Sequence, residues 1–350
     1  MTEIRKLLRP NIKKLKPYSS ARDEYSGQKG IFLDANENSF GTLESGTLNR
    51  YPDPYQRDLK RKLEKIYKID SKSTFLGNGS DEAIDLLLRA FCNPGKDKII
   101  TMPPTYGMYS VAANINDIAI EKVPLTPEFQ IQTDKILEKS DHATKIIFIC
   151  SPNNPTGNIF NSRSIIKIIK NFNGIVILDE AYVDFTDKQN GLEWLKKYDN
   201  LVVLRTFSKA WGLANIRLGL AFASAGIIQI LNKIKYPYNV NGLTSRKAME
   251  LVANPEVKQQ TVDSILKEKT GLVERLKKID GVNKIFPSEA NFILVRFEKA
   301  KQLFTCLKDK KIIIRDRTDV LHCQDCLRIT IGKPEENEVL LKAIANFYNK

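Results

Sequence analysis

Two hydroxyls, a lysine and an arginine stand close together in Arg205-Thr-Phe-Ser-Lys-Ala-Trp-Gly-Leu-Ala-Asn-Ile-Arg217. Lys209 is flanked by Phe207, Ala210 and Trp211. Apolar company strips water from an ammonium and lowers its pKa, giving the neutral amine that a Schiff base with a carbonyl requires. Thr206, Ser208 and Arg217 bring donors suited to a dianionic phosphate beside it. Taken alone, Lys209 also reads as a loop lysine that snorkels to water; its neighbours shift the balance.

Other stretches carry chemistry of their own. Gly77-Asn-Gly-Ser-Asp-Glu82 is a tight turn into a helix whose buried stripe is Ile84, Leu87, Leu88 and Phe91. Free N–H groups at such a start make an anion site, and a plain capped helix start is an equal reading. A third glycine is missing for a dinucleotide fingerprint, and no Gly-Lys-Ser/Thr follows for a P-loop. Ile175-Val-Ile-Leu-Asp-Glu180 ends a buried strand in two carboxylates, like a Walker B strand, but no Walker A sequence accompanies it, which rejects an NTPase. His322-Cys323-Gln-Asp-Cys326 is a lone C-x-x-C without a second ligand pair, so neither metal nor redox use is expected. The five cysteines are scattered and fit a reducing compartment, with Cys150 reading as core.

These residues need a scaffold. Strand-like runs recur at Lys98–Thr101, Ile118–Val123, Lys145–Cys150, Gly174–Asp179, Leu201–Leu204 and Leu218–Ala223, several of them separated by helical patterns. Such alternation predicts an α/β fold: a mainly parallel sheet sandwiched by helices, with ligands beyond the strands' carboxyl ends, where the candidate residues fall. After Val240 the pattern changes to a long amphipathic helix opened by Asn254 and Pro255 and ending near Gly281. Then come strands at Asn291–Phe297, Ile312–Ile314 and Leu327–Ile331, with a helix at Ala300–Asp309 and a final one from Pro334. The expected division is an N-terminal arm, 1–30; a large α/β domain, 31–240; and a smaller α+β C-terminal domain, 241–350. A chain of 350 residues exceeds one typical core, as this division requires. The net charge of +14 is spread over helix faces such as Arg57, Lys60, Arg61, Lys65 and Lys68, without interleaved aromatics, so nucleic-acid binding is not expected. No apolar run approaches the roughly 18 residues of a membrane span, and the basic N-terminus has no apolar signal region; a cytoplasmic protein is expected.

The segment Ser208-Lys209-Ala-Trp-Gly-Leu-Ala, with Arg217, resembles the cofactor-lysine segment of class I/II aminotransferases that use pyridoxal 5'-phosphate. Similar motifs run from Leu33 to Gly332: Leu33-Asp-Ala-Asn-Glu-Asn38, Arg50-Tyr-Pro-Asp-Pro-Tyr55, Ser151-Pro-Asn-Asn-Pro-Thr-Gly157, Asp179-Glu-Ala-Tyr-Val-Asp-Phe185 and Cys326-Leu-Arg-Ile-Thr-Ile-Gly332. Within the family, the chain resembles the branch that acts on histidinol phosphate. The resemblance implies the fold-type I architecture, with the cofactor bound by Lys209, which is also the catalytic base. It implies Asp179 at the ring nitrogen, Asn154 and Tyr182 at the phenolic oxygen, and Tyr106 stacked on the ring. The cofactor phosphate falls to Ser80, Asp81, Thr206, Ser208 and Arg217, and to Tyr51 from the partner subunit of a homodimer. Arg328, Arg315 and Arg22 are implied to hold the substrate's anionic group. The implied reaction moves an amino group between L-histidinol phosphate and 2-oxoglutarate, in histidine biosynthesis.

Read without the resemblance, Tyr51 is a loop-packing tyrosine, Tyr106 a core aromatic, Asn154 a turn asparagine and each of the three arginines a surface residue. The nearer rivals share the fold: an aromatic amino-acid aminotransferase or a threonine-phosphate decarboxylase. A rival of another class, a basic nucleic-acid-binding protein on a dead scaffold, is weakened by the presence of Lys209, Asp179, Tyr182, Asn154 and Arg217 together. Two positions depart from the family pattern: Asn215, where glycine is usual, and Leu220, where an aromatic is common. Asparagine tolerates left-handed backbone angles, so the turn toward Arg217 is expected to survive.

Overall fold

In the computed structural model, which describes residues 4–18, 30–41 and 48–349, the large sheet has strand order β1-β7-β6-β5-β4-β2-β3. Its strands are β1 (Thr74–Asn78), β2 (Lys98–Thr101), β3 (Ala119–Lys122), β4 (Thr144–Cys150), β5 (Ile175–Asp179), β6 (Leu201–Thr206) and β7 (Leu218–Ala223). β7 is antiparallel to both β1 and β6, and every other pairing in this sheet is parallel.

The apolar runs are continuous because both faces of the sheet are covered. Ile147, Ile149, Val176, Leu178 and Val203 point to one face, where Ile165, Ile168 and Ile169 of the helix Ser162–Asn171 meet them. The alternate residues Ile146, Phe148, Ile175, Ile177, Val202 and Leu204 join Ile84, Leu87 and Phe91 of the helix Gly79–Phe91 on the other. This period of two divides one hydrophobic sequence between two cores.

A second, antiparallel sheet has the order β10-β11-β9-β8, from β8 (Val282–Ile285), β9 (Phe292–Phe297), β10 (Arg315–Asp316) and β11 (Cys326–Thr330). The helices Pro255–Leu276, Ala300–Asp309 and Pro334–Tyr348 share its core, through Leu276, Leu303, Leu307 and Ile344. Among the described residues no helix is long and apolar enough to cross a membrane.

Two local expectations are corrected, and the structure adds elements that the sequence pattern did not indicate. β1 and β8 were not foreseen as strands. The strand expected at Ile312–Ile314 pairs instead at Arg315–Asp316, because the Ile312 N–H donates to Leu307 O at 2.9 Å and finishes the preceding helix. The long helix ends at Leu276 rather than near Gly281. The arm holds two short helices, Ile4–Leu7 and Pro10–Lys14, and Arg9 docks it through its N–H to Ala90 O at 3.0 Å. Arg22 lies outside the described residues.

Candidate active site

The parallel strands deliver their carboxyl ends to one edge of the large sheet. β1 continues into Gly79–Asp81, β2 into the loop ending at Tyr106, and β4 into Ser151–Gly157; β5 ends on Asp179 and β6 runs into Ser208 and Lys209. Since β7 returns antiparallel, Arg217 immediately before it arrives at the same edge. A cavity of about 280 Å³ opens there, lined by Ser80, Asp81, Tyr106, Asn154, Asp179, Tyr182, Thr206, Ser208, Lys209 and Arg217, with Arg328 of β11 entering from the smaller sheet.

One end of the cavity is built for an anion. Ser80 and Asp81 open the helix Gly79–Phe91, whose first-turn N–H groups have no acceptor within the helix. The Gly79 N–H is already used, donating to Arg217 O at 2.7 Å. Two glycines permit this approach: Gly79 is left-handed at φ 70°, and a Cβ on Gly219 of β7 would lie 2.1 Å from the Gly79 carbonyl carbon. The Ser208 N–H donates to Thr206 Oγ1 at 3.1 Å, which fixes the two hydroxyl residues relative to each other. Arg217 Nη2 lies 3.5 Å from the Asp81 carboxylate, a loose contact between exposed groups. The turn's left-handed residue is Arg217 itself, at φ 52°, whereas Asn215 lies in the 3-10 turn Ala214–Ile216 without positive φ. The angle tolerance expected of Asn215 is therefore not used. Leu220 is fully buried opposite Leu76 of β1.

The other end holds the groups that could move protons. Burial, followed by the positive charge of Arg328, pushes the Lys209 amine below its ordinary pKa. Its Nζ sits 5.5 Å from the centre of the Tyr182 ring. Asp179 is 3% exposed, and among the described residues it has no ion-pair partner. Its Oδ2 accepts from the Tyr109 hydroxyl at 2.6 Å and its Oδ1 from the Ala181 N–H at 3.0 Å. Burial outweighs these bonds and pushes Asp179 up to about 6. A buried carboxylate short of a cation suits a ligand that brings a protonated nitrogen.

Asn154 bridges the two sheets. Its amide donates to the Tyr182 hydroxyl at 3.4 Å, and its carbonyl accepts from the Arg328 guanidinium. Arg328 Nε is buried and has no hydrogen-bond partner, an unmet donor at the cavity wall. The Tyr106 hydroxyl donates to Asp81 at 3.3 Å. The donor set thus fits a group with a dianionic tail, a carbonyl and a protonated ring nitrogen.

Two candidates stand apart from this cluster. Tyr51 stacks on Tyr238 with ring centres 4.4 Å apart and lines a separate groove of about 750 Å³ with Arg246 and Met249. Arg315 lies directly across the strand pair from Arg328, exposed and outside the cavity lining. Arg22 is not among the described residues.

Sequence reasoning overlooked Tyr109, whose signal was its spacing of one helical turn from Tyr106. It also read Cys150 as core alone; the residue is buried, yet it lines the cavity.

The chain matches the family model described as aminotransferase class I and II over residues 24–344. It is 51% identical to the histidinol-phosphate aminotransferase of Cytophaga hutchinsonii over 341 residues, 97% of this chain and 98% of that one. The corresponding protein of Parabacteroides distasonis is also 51% identical, over 99% of both chains. Among solved structures, the histidinol-phosphate aminotransferase from Clostridium acetobutylicum is similar at 25% identity and a TM-score of 0.79, covering 87% of this chain and 92% of that one. The enzyme of the same name from Sinorhizobium meliloti, in complex with pyridoxal-5'-phosphate, shares the fold at a TM-score of 0.80 and 20% identity, over 97% of both chains.

Proposed function

Because the chain belongs to the class I and II aminotransferase family, we propose that it moves an amino group between L-histidinol phosphate and 2-oxoglutarate, giving imidazole acetol phosphate and L-glutamate in histidine biosynthesis. It is a transaminase that depends on pyridoxal 5'-phosphate. The observation that carries the reading is the meeting of Lys209, Asp179 and the helix start at Ser80 and Asp81 around one cavity of about 280 Å³.

When bound, pyridoxal 5'-phosphate supplies a carbonyl that condenses with amines and a protonated ring that accepts the electrons of the substrate's Cα–H bond. Lys209, its amine pushed below its ordinary pKa by burial, would hold that carbonyl. Lys209 would also serve as the general base that takes the substrate's Cα proton and later returns it. Asp179 retains the proton on the ring nitrogen, and Tyr182 and Asn154 donate to the phenolic oxygen. Tyr106, which lines the same cavity, would pack against the ring. Thr206, Ser208, Arg217 and the N–H groups of Ser80 and Asp81 bind the phosphate.

Arg328 binds the anionic group of either substrate, and its unmet Nε supports this role. Arg315 and Arg22 complete the site for a phosphate dianion. The working unit is a homodimer in which Tyr51 reaches the partner's cofactor phosphate; its 51% exposure and its distance from the chain's own site support this. We place the enzyme in the cytoplasm. The two sheets support a division into an arm, 1–30, a large cofactor-binding domain, 31–240, and a small domain, 241–350.

The test is direct. Purified protein given the cofactor should absorb near-visible light, borohydride should fix the cofactor to Lys209, and histidinol phosphate should turn over with 2-oxoglutarate. Attachment at another residue, or equal turnover of phenylalanine, would overturn the reading.

A further inference from the structure

Among the described residues, Tyr109 is the one whose hydroxyl hydrogen-bonds to Asp179. It lies on the helix Met108–Ile115, fully buried, with its ring stacked 4.5 Å from Phe148 at 15° and edge-on to Tyr106 at 5.4 Å. Two aromatic neighbours leave the ring no freedom to swing, so its hydroxyl has one fixed position, 2.6 Å from Asp179 Oδ2. We propose that Tyr109 is a positioning residue that keeps Asp179 ionised and aimed at the protonated ring nitrogen, and that it links this acid mechanically to the ring-stacking Tyr106. The proposal rests on the assignment of Asp179 to that nitrogen.

The physical need is clear from what surrounds Asp179. The titratable groups that act on it are Tyr106, Tyr109, Cys150, Asp81, Glu180, Tyr182 and Lys209, and the two carboxylates among them oppose its ionisation. Burial already drives its pKa upward, so a neutral carboxyl is close at hand near neutral pH. A neutral carboxyl cannot hold a proton on a ring nitrogen by charge. The Tyr109 hydrogen bond stabilises the charged form, and burial raises the phenol's own pKa, so the hydroxyl remains a donor throughout the working range. A merely structural tyrosine would have its ring packed in the same way, but its hydroxyl would have no bearing on the titration of Asp179.

Tyr109→Phe keeps the aromatic stack and removes only the donor. In the cofactor-free protein, carbon-13 NMR of labelled aspartate carboxyls should show the Asp179 midpoint rising by about one pH unit. In the holoenzyme, kcat should fall roughly tenfold with KM little changed, and the acid limb of the kcat profile should move to higher pH by a similar amount. Replacing Tyr109 with 3-fluorotyrosine, a stronger donor of nearly the same shape, should move the midpoint the other way, which covers the case in which the phenylalanine variant folds poorly. Unchanged midpoints in both variants would overturn the proposal. Asp179→Asn is the control: if it keeps full turnover while Tyr109→Phe still moves the Asp179 midpoint, it is the ring-nitrogen assignment that fails and takes the proposal with it.

Discussion

The Glu180 carboxylate accepts two hydrogen bonds from the Arg205 guanidinium, at 2.9 and 3.2 Å, with its side chain wholly shut off from solvent. Its neighbour Asp179 turns the other way, into the cavity. Two consecutive acids at one strand end are thereby sorted, one locked into an ion pair and the other left without a cation.

Removing one partner of such a pair strands the other charge. Arg205→Ala is expected to cost about 3–5 kcal/mol in urea unfolding of the cofactor-free protein. The double variant Glu180→Leu/Arg205→Leu should recover much of that loss. If the single variant stays within 1 kcal/mol of the parent, by the ~3–5 kcal/mol standard for buried pairs, the pair is not structural.

Asp179 carries a pH signature whose sign follows from its raised pKa. A carboxyl lifted from 3.8 to about 6 by burial favours the folded state below pH 3.8, and that stability is lost as pH rises through 6. The loss amounts to roughly 3 kcal/mol. Cofactor-free Asp179→Asn should lack this pH dependence and at pH 7.5 should melt above the cofactor-free parent, while the same variant supplied with cofactor should turn over almost no substrate. Thermal melts from pH 4 to pH 8 on both proteins check it.

Gly219→Ala should be poorly tolerated. Its new methyl would meet the backbone of Gly79 and Ser80 at 2.1 Å, so the helix start must retreat. Overpacking of this kind costs about 1–3 kcal/mol or more. We expect a lowered melting temperature together with weakened cofactor affinity, whereas Gly226→Ala, with open space around it, should change neither.

Lys209→Ala should abolish turnover yet leave non-covalent cofactor binding intact, because the phosphate donors lie on other residues. Equilibrium dialysis with the cofactor measures the second half of this statement.

The arginines should separate by substrate. Charge-assisted hydrogen bonds contribute about 1.5–3 kcal/mol each, so losing one weakens catalysis roughly ten- to hundredfold. Arg315→Ala and Arg22→Ala should impair the half-reaction of histidinol phosphate far more than that of glutamate, and Arg328→Ala should impair both. Equal losses in single-turnover measurements would remove the dedicated phosphate clamp.

Much of this architecture was readable because its strands are buried on both faces and their sequences are nearly unbroken Ile, Val and Leu. β1 was not, since Thr74-Phe-Leu-Gly-Asn78 has only two large apolar residues, and its extended form comes from pairing Thr74 with Phe222 and Leu76 with Leu220. Ile312–Ile314 misled in the opposite sense: β-branched residues there serve to pack against a helix end. The lysine segment announced itself because Thr206, Ser208, Lys209 and Arg217 are local in sequence. Contacts such as Tyr109 with Asp179 and Arg328 with Asn154 join distant segments, and nothing in either segment alone names its partner.

The antiparallel return of β7 brings Lys209 and Arg217 to the sheet edge in a single hairpin, while Ser80, Asn154 and Arg328 must come from far along the chain. Contacts close in sequence form early and distant ones late. Synthesis runs from the N-terminus, so Ser80, Asn154 and Asp179 are made before Lys209, and Arg328 is the last residue of the cavity lining to appear. A chain interrupted before Arg328 has the reactive amine but lacks the arginine that closes the site. On the proposed roles, binding of the substrate's anionic group, rather than of the cofactor, thus marks a finished chain. A ligand present at about a thousand times its Kd adds roughly 4 kcal/mol to the folded state. Saturating pyridoxal 5'-phosphate is therefore expected to raise the melting temperature of the protein as well as to support its turnover.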